Sequence, residues 1–453
     1  MDSNHSDPHS VILIDLFEDL TCEKAQEVTA LPRSGSDRQY YRLTSKTGPL
    51  IGVYNPHFKE NDAFITFSSV FNMHGVPVPE VHRISEDGLY YIQDDLGNET
   101  LLQRLQARRT GLEIPQDVLE LYQKSLTHLA HMQTKGMEDF DYAEFCFPRA
   151  AFDKQSMMWD LNYFKYYFLK LAQVPFDEQA LEDDFHTFSN YLLSTDTDHF
   201  MFRDFQARNI MLVDDKPYFI DFQGGRKGAL QYDLASLLWQ ARAAIPQETR
   251  KALLAHYLDA LSTHIEVERG KFEEYYYGYV LIRTIQVLGA YGFRGIFERK
   301  PHFLASIPHA LRNLQWLLDN ARPPVVLPEL LRVLEALPQA EALQKYQRDW
   351  GENPSLTVRV QSFSYKAGLP EDPSGNGGGF VFDCRAIHNP GRYQPYKTQT
   401  GRDQPVKDFL VQNSRIETFI QDVLSIVEPS VERYIERGFS HLMVSFGCTG
   451  GRE

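Results

Sequence analysis

Apolar and polar positions change rhythm several times along this chain. From Val11 to Ala30 they recur at helical spacing, which predicts a short opening helix. From Leu31 to about Asp95 the rhythm is that of strands, at Gln39–Leu43, Leu50–Tyr54 and Leu89–Gln93. A helix from about Asp62 to Met73 interrupts them and stops at His74, Gly75 and Pro77. Long helical patterns dominate from Thr100 to about Asn320, broken by one short hairpin around residues 210–222. The stretch Arg322–Pro328 is a stop, a further helix runs to about Tyr346, and residues 349–355 have the composition of a linker. Beyond Ser355 the pattern gives a strand at Thr357–Ser364, a Gly-rich loop at Ser374–Gly379 and a strand at Phe380–Asp383. A helix from about Asn413 to Gly438 follows, then a buried strand at His441–Phe446 that runs into Gly447–Arg452. The expected class is α+β, organised as a small β-rich lobe (1–95), a helical lobe (96–325), a helix and linker (326–355) and a C-terminal α/β domain (356–453).

Composition narrows the functional classes. At 453 residues the chain is long enough for two or three cores, and 43% hydrophobic content with 13% aromatics suits a packed globular protein. The formal charge of −15 argues against broad affinity for nucleic acid or anionic membrane. Cys22, Cys146, Cys384 and Cys448 are far apart, which suits a reducing compartment better than a disulfide framework. The first residues lack a basic start and apolar run, and no apolar segment reaches the roughly 18 residues of a membrane helix, so a cytoplasmic location is expected.

The hairpin carries the chemistry. Phe202-Arg203-Asp204-Phe205-Gln206-Ala207-Arg208-Asn209 precedes one apolar arm, and Asp221-Phe222-Gln223 follows the other. Asp and Asn are ordinary turn residues, so a polar-ended hairpin is the simpler account. The spacing of Asp204 from Asn209, the two arms and the following Gln231–Ser236 argue beyond it. Phosphoryl transfer from ATP needs a carboxylate to take the acceptor's proton and an amide plus a carboxylate to hold Mg²⁺. Asp204 is therefore the expected base, and Asn209 and Asp221 the expected metal ligands. The fold implied is protein-kinase-like and two-lobed. Only a dozen positions separate Asp221 from Asp233, which leaves no room for the regulated activation segment of a protein kinase. Asp233 is expected to anchor the loop. No lysine lies in Leu50–Tyr54, where a phosphate-binding strand lysine would stand. Arg38 or Arg42, beside the loop Ser34-Gly35-Ser36, is the expected substitute; the alternative is an arginine on a solvated strand face. Gln93, Asp94 and Leu96 fall where the lobes join and are expected near adenine, or form a plain interlobe turn.

The loop resembles the aminoglycoside-phosphotransferase-like kinases over about residues 10 to 325. Ser36–Leu43, Tyr218–Gln223 and Gly228–Leu238 resemble most the anomeric sugar kinases that act on N-acetylmuramate and N-acetylglucosamine at C1 in cell-wall recycling. The resemblance implies ATP and Mg²⁺ as cofactors and an amino sugar as acceptor. It sets Trp159, Asp160, Arg208 and Arg226 toward that acceptor, with Arg226 and Lys227 able to hold an anionic lactyl group. Aromatics at the spacing of Met157–Phe164 equally suit a core, and Arg226 and Lys227 equally suit a solvated turn. Other acceptors open at this stage are an aminoglycoside, choline or homoserine, as is a regulatory pseudokinase.

Residues from about Leu356 onward resemble the C-terminal domain of the RNase adapter protein RapZ, through Ser362–Gly368, Phe382–Arg385 with Asn389 and Pro390, Thr400–Val406 and Gly447–Arg452. That resemblance implies a sugar-phosphate sensor that contacts RNA. Cys448, Thr449, Gly450, Gly451 and Arg452, completed by Asp383 and Arg385, would form the phosphate site; a Gly-rich turn without chemistry is the alternative. The segment holds as many basic as acidic residues, so charge lends RNA binding no support. Glu453 falls where the resembled family continues into a helix, and a truncated domain is expected.

Overall fold

The computed structural model describes residues 7–32, 37–138, 140–347, 356–372, 378–436, 439 and 441–449. The chain divides into two compact units, residues 1–293 with 306–344, and residues 294–305 with 345–453.

The first unit opens with an antiparallel sheet of β1 (Glu27–Ala30), β2 (Gln39–Ser45), β3 (Gly48–Tyr54), β4 (Val81–Ile84) and β5 (Tyr90–Asp94), in the order β1-β2-β3-β5-β4. Side chains alternate across it as strand geometry requires. Tyr90 and Ile92 join Tyr41 and Leu43 in a core under Leu13 and Phe17 of the opening helix. Tyr91 points the other way and packs on Phe64 of the helix Phe58–Met73. The opening helix is shorter than its periodicity predicts. It spans Pro8–Thr21 and ends at Cys22 in a left-handed conformation. Residues Glu27–Ala30 extend instead and pair with β2, Val28 lying opposite Leu43. Branched Val28 and Thr29 favour the pleated backbone, and the free edge of β2 offers its hydrogen bonds.

The helical lobe is built around Arg269–Ala290, which buries Tyr279, Leu281, Ile282, Ile285 and Leu288 and packs against the helices Lys154–Phe164, Leu230–Leu238 and Ile307–Asn320. Two π-helical stretches meet here. Lys165–Leu169 prolongs the helix Lys154–Phe164, and Tyr291–Phe297 prolongs the central helix. Gly292 allows the crossing, because a Cβ there would lie 1.8 Å from the carbonyl oxygen of Tyr167. That contact is with backbone, which cannot rotate away. Gly292→Ala should therefore destabilise the first unit by about 2–3 kcal/mol or more, read as a lowered melting temperature; an unchanged melting temperature would contradict this packing.

The helix Pro328–Ala336 belongs to the same unit. Leu330 donates its N–H to buried Asp184 at 2.7 Å, and Asp177 donates its N–H to Glu329 at 2.7 Å. Between the large helices lie the short strands that position the chemistry: β6 (His199–Met201), β7 (Ile210–Val213), β8 (Lys216–Phe219) and β9 (Arg226–Gly228), with β6 paired to β9 and β7 to β8.

The second unit is a parallel sheet of β10 (Thr357–Ser364), β11 (Gly379–Asp383) and β12 (His441–Cys448), in the order β10-β12-β11. The helix Ile416–Glu436 covers one face, with Phe419, Val423 and Val427 against Phe382, Leu442, Val444 and Phe446. A further helix, Gln404–Asn413, has no counterpart in the periodicity because Asp403, Gln404 and Pro405 mark a turn as readily as a helix start. Among the described residues no helix is long and apolar enough to cross a membrane.

Candidate active site

The loop between β6 and β7 is fixed from beneath. Asp233, fully buried, accepts the N–H groups of Phe202 at 2.7 Å and Arg203 at 2.9 Å. Burial pushes its carboxyl up to about 7, and the two N–H donors oppose that rise. Gln133 Nε2 donates to the same carboxylate at 3.2 Å, and Tyr257 donates to Gln133. So held, Arg203 takes a left-handed backbone (φ 80°), as does Asp221 (φ 72°) at the far end of the hairpin. Such conformations are disfavoured for side-chain-bearing residues and persist where surrounding bonds impose them.

The hairpin brings the three expected residues together. Asn209 Nδ2 donates to the Asp204 carbonyl at 2.9 Å and to Asp221 Oδ2 at 3.1 Å. Gln223 Nε2 donates to the other Asp221 oxygen at 2.8 Å. Burial and the neighbouring Asp204 push the Asp221 carboxyl up, against Gln223, Arg208 and Arg38. Burial also acts on Asp204, but Arg283, Arg203 and Arg208 outweigh it and hold that carboxyl below its ordinary range. One carboxylate thus stays ionised beside another that favours a cation. Asn209 spends its amide hydrogens on these contacts, leaving the lone pairs of its oxygen for a cation, and Asp221 keeps lone pairs on both oxygens. Among the described residues no group of three or more His, Cys, Asp or Glu side chains could hold a metal unaided. An amide and a carboxylate suit a hard divalent cation that takes its remaining ligands from phosphate and water.

Phenylalanines carry the hairpin to the small lobe. Phe222, which follows Asp221, stacks on Phe64 of the helix Phe58–Met73 with centroids 4.6 Å apart and planes 3° apart. Phe71 and Phe202 meet its edges. The Arg38 guanidinium also lies near this junction, 5.7 Å from the Phe64 ring centroid, and the residue is only 3% exposed. Its Nη2 is 3.9 Å from Glu60, while Nε and Nη2 have no hydrogen-bond partner among the described residues.

Several expected residues stand elsewhere. Ser34, Gly35 and Ser36, like Gly450, Gly451 and Arg452, lie outside the described residues. Arg42, expected at phosphate, is instead held by Asp95 through Nε at 2.5 Å and Nη2 at 2.9 Å, and reaches Asn98 at 3.0 Å. It braces the lobe junction. Gln93 is buried at that junction with an unpaired Oε1, Leu96 is half-buried, and Asp94 accepts from His82 and the Glu80 N–H. Asp160, expected at the acceptor, grips Arg203 with both oxygens at 2.7 Å. Arg226 lies in neither a solvated turn nor an open site: it is buried in β9, its Nε on the Gly224 carbonyl, and Lys227 pairs with Asp198. Trp159 is half exposed beneath the Arg149 guanidinium, and Arg208 is exposed. Arg283, which reaches Asp204, is not among the expected residues. The signal for it was an arginine inside the apolar run Val280-Leu281-Ile282-Arg283-Thr284-Ile285.

In the second unit, the ends of the strands align. Ser364 lies opposite Cys448, and Asp383 opposite Gly447. The expected residues Asp383, Arg385, Cys448 and exposed Thr449 thus share the carboxyl edge of a parallel sheet, a common ligand position. Arg385 is not free there: its Nε and Nη2 are on Asp383, at 2.9 and 2.6 Å, and its guanidinium lies 4.3 Å from the Tyr365 ring.

Residues 27–270 match the model of the phosphotransferase enzyme family, and this stretch contains the whole Asp204, Asn209, Asp221 and Asp233 constellation. The chain belongs to that family. The matched stretch lies wholly within the first unit and spans both its small sheet and most of its helical lobe. Residues 356–453 match the model of the RapZ C-terminal domain. A nucleotide-binding protein of Clostridioides difficile is 35% identical over 112 residues, 25% of this chain and 38% of that protein. One from Ruegeria is 38% identical over 97 residues, 21% of this chain and 31% of that protein. The chain thus spans about a third of the length of these curated relatives. Among solved structures, a choline kinase from Cryptosporidium parvum is similar with a TM-score of 0.49 and 12% identity, over 72% of this chain and 99% of that one. An amicoumacin kinase complexed with AMP-PNP and Ca²⁺ gives 0.47 and 12%, over 75% and 94%.

Proposed function

We propose that the first unit transfers the γ-phosphoryl group of ATP, with Mg²⁺, to the anomeric hydroxyl of an N-acetylmuramate- or N-acetylglucosamine-type amino sugar. The observation that carries this reading is the hydrogen-bonded set Asp204, Asn209 and Asp221 on one rigid hairpin. Asp204 accepts the hydroxyl proton as the sugar oxygen bonds to the γ-phosphorus and the bond from phosphorus to the bridging oxygen breaks, releasing ADP. Asn209 and Asp221 hold the metal, which neutralises phosphate charge. Gln93, Asp94 and Leu96 border adenine. Trp159 and Arg208 remain the acceptor-side candidates, whereas Asp160 and Arg226 are spent on internal contacts.

Arg38 takes the role of the missing strand lysine. Gln39 pairs with Tyr54, so Arg38 enters beside the end of β3, the strand that lacks the lysine. It faces Glu60 of the neighbouring helix and adds to the field at Asp221. Its unpaired Nε and Nη2 are suited to phosphate oxygens. Arg38→Ala should raise the KM for ATP by about tenfold or more, the loss of one charge-assisted contact. Steady-state kinetics against ATP concentration check this, and an unchanged KM dismisses the assignment.

The second unit binds an amino-sugar phosphate at the carboxyl edge of its sheet and ties kinase output to amino-sugar status. The match at residues 356–453 and the alignment of Asp383, Arg385, Cys448 and Thr449 support that role. Turnover measured against a panel of free sugars, with and without sugar phosphate, tests both halves.

A further inference from the structure

We propose that Arg283 is a positioning residue for Asp204: it pins one carboxylate oxygen so that the other faces the acceptor hydroxyl. The inference rests on Asp204 being the base. Arg283 comes from the central helix Arg269–Ala290, 79 residues from the loop, and is 4% exposed. Every branch of its guanidinium is engaged. Nε donates to Ser236 Oγ at 3.1 Å, Nη1 to Gln286 and toward the Tyr232 hydroxyl at 3.5 Å, and Nη2 to Asp204 Oδ1 at 3.0 Å. The guanidinium carbon also lies 5.6 Å from the Tyr232 ring centroid.

The same tyrosine is shared with a second buried cation. Arg203 Nη1 donates to the Tyr232 hydroxyl at 2.7 Å, and Arg203 is itself clamped by Asp160. Two guanidiniums thus bracket Tyr232, and the network runs unbroken from Asp160 to Asp204. The purpose of so much fixed charge is legible from the carboxylate it ends on. The Asp204 side chain is 41% exposed at the tip of a loop, and rotation about its last bond is soft. A planar fork braced at Ser236 and Tyr232 removes that freedom, which a flexible ammonium would not. Only Oδ1 is taken by Arg283, leaving Oδ2 for the hydroxyl. Burying a cation in an apolar helix face is costly unless its partners matter, and Asp204 is its ion-pair partner among the described residues.

The full-length protein carrying Arg283→Ala should lose about 100-fold or more in kcat, the contribution of a well-placed general base. Its KM for ATP should stay within about twofold, because nothing that holds nucleotide is removed. Added guanidinium ion should restore part of the rate by refilling the cavity. Arg283→Lys should be intermediate, since it keeps the charge without the fork. The proposal fails if Arg283→Ala keeps kcat within about threefold of wild type, or if kcat and nucleotide affinity fall together and guanidinium restores nothing. Should Arg283→Ala not fold, Arg283→Lys decides: a kcat reduced about fivefold or more at an unchanged melting temperature supports the role, and full kcat overturns it. Asp204→Asn measured alongside separates the two failures. If it is inactive while the Arg283 variants are normal, only the positioning role is lost; if it turns over normally, the base assignment falls.

Discussion

Asp204→Asn should lower kcat by about 10²–10⁴-fold, the range attributable to a positioned general base. The change is nearly isosteric and leaves the backbone carbonyl of residue 204 in place, so Asn209 keeps its 2.9 Å bond and the hairpin its shape. The KM for ATP should therefore change little, since the proposed nucleotide contacts at the lobe junction and Arg38 are untouched. An asparagine cannot accept the proton, and it also leaves buried Arg283 without its carboxylate. Steady-state kinetics on the purified variant read both quantities. A kcat within tenfold of wild type would mean that the proton leaves by another route.

The second large effect lies beneath the loop. Asp233→Ala leaves the buried N–H groups of Phe202 and Arg203 without an acceptor, together with Gln133. Unsatisfied buried donors cost about 1–3 kcal/mol each, so a loss of about 3–5 kcal/mol is expected. Asp233→Asn retains one acceptor oxygen and should cost about half as much. Activity should fall further than stability, because the left-handed backbone at Arg203 is imposed by these two bonds. Urea denaturation followed by tryptophan fluorescence reports on the first unit through Trp159, Trp239 and Trp316. A loss below 0.5 kcal/mol would place the anchor elsewhere.

Much of this was written plainly in the chain. A strand with strong alternation, such as Gln39–Leu43, is legible because one of its faces must be buried. The convergence of Asp204, Asn209 and Asp221 is legible because they lie within a single supersecondary unit. What the sequence hid are partnerships between distant segments. Nothing near Asp160 indicates that it is held by Arg203, and nothing near Arg42 indicates Asp95. An isolated charge looks available in a sequence, whereas folding neutralises it wherever burial would otherwise be prohibitive. Arg283 reaches Asp204 across 79 residues for the same reason. The edge strand Glu27–Ala30 is hidden in the pattern because four residues carry too little periodicity to outweigh the helix before them.

The most direct test is phosphate-resolved nuclear magnetic resonance of the products formed from ATP, Mg²⁺ and a panel of free sugars, with Asp204→Asn as the control. Turnover of N-acetylmuramate or N-acetylglucosamine to a product whose phosphorus couples to the anomeric proton, absent in the control, is the predicted result. Turnover of choline, homoserine or an aminoglycoside with no reaction of any reducing amino sugar would contradict the acceptor assignment.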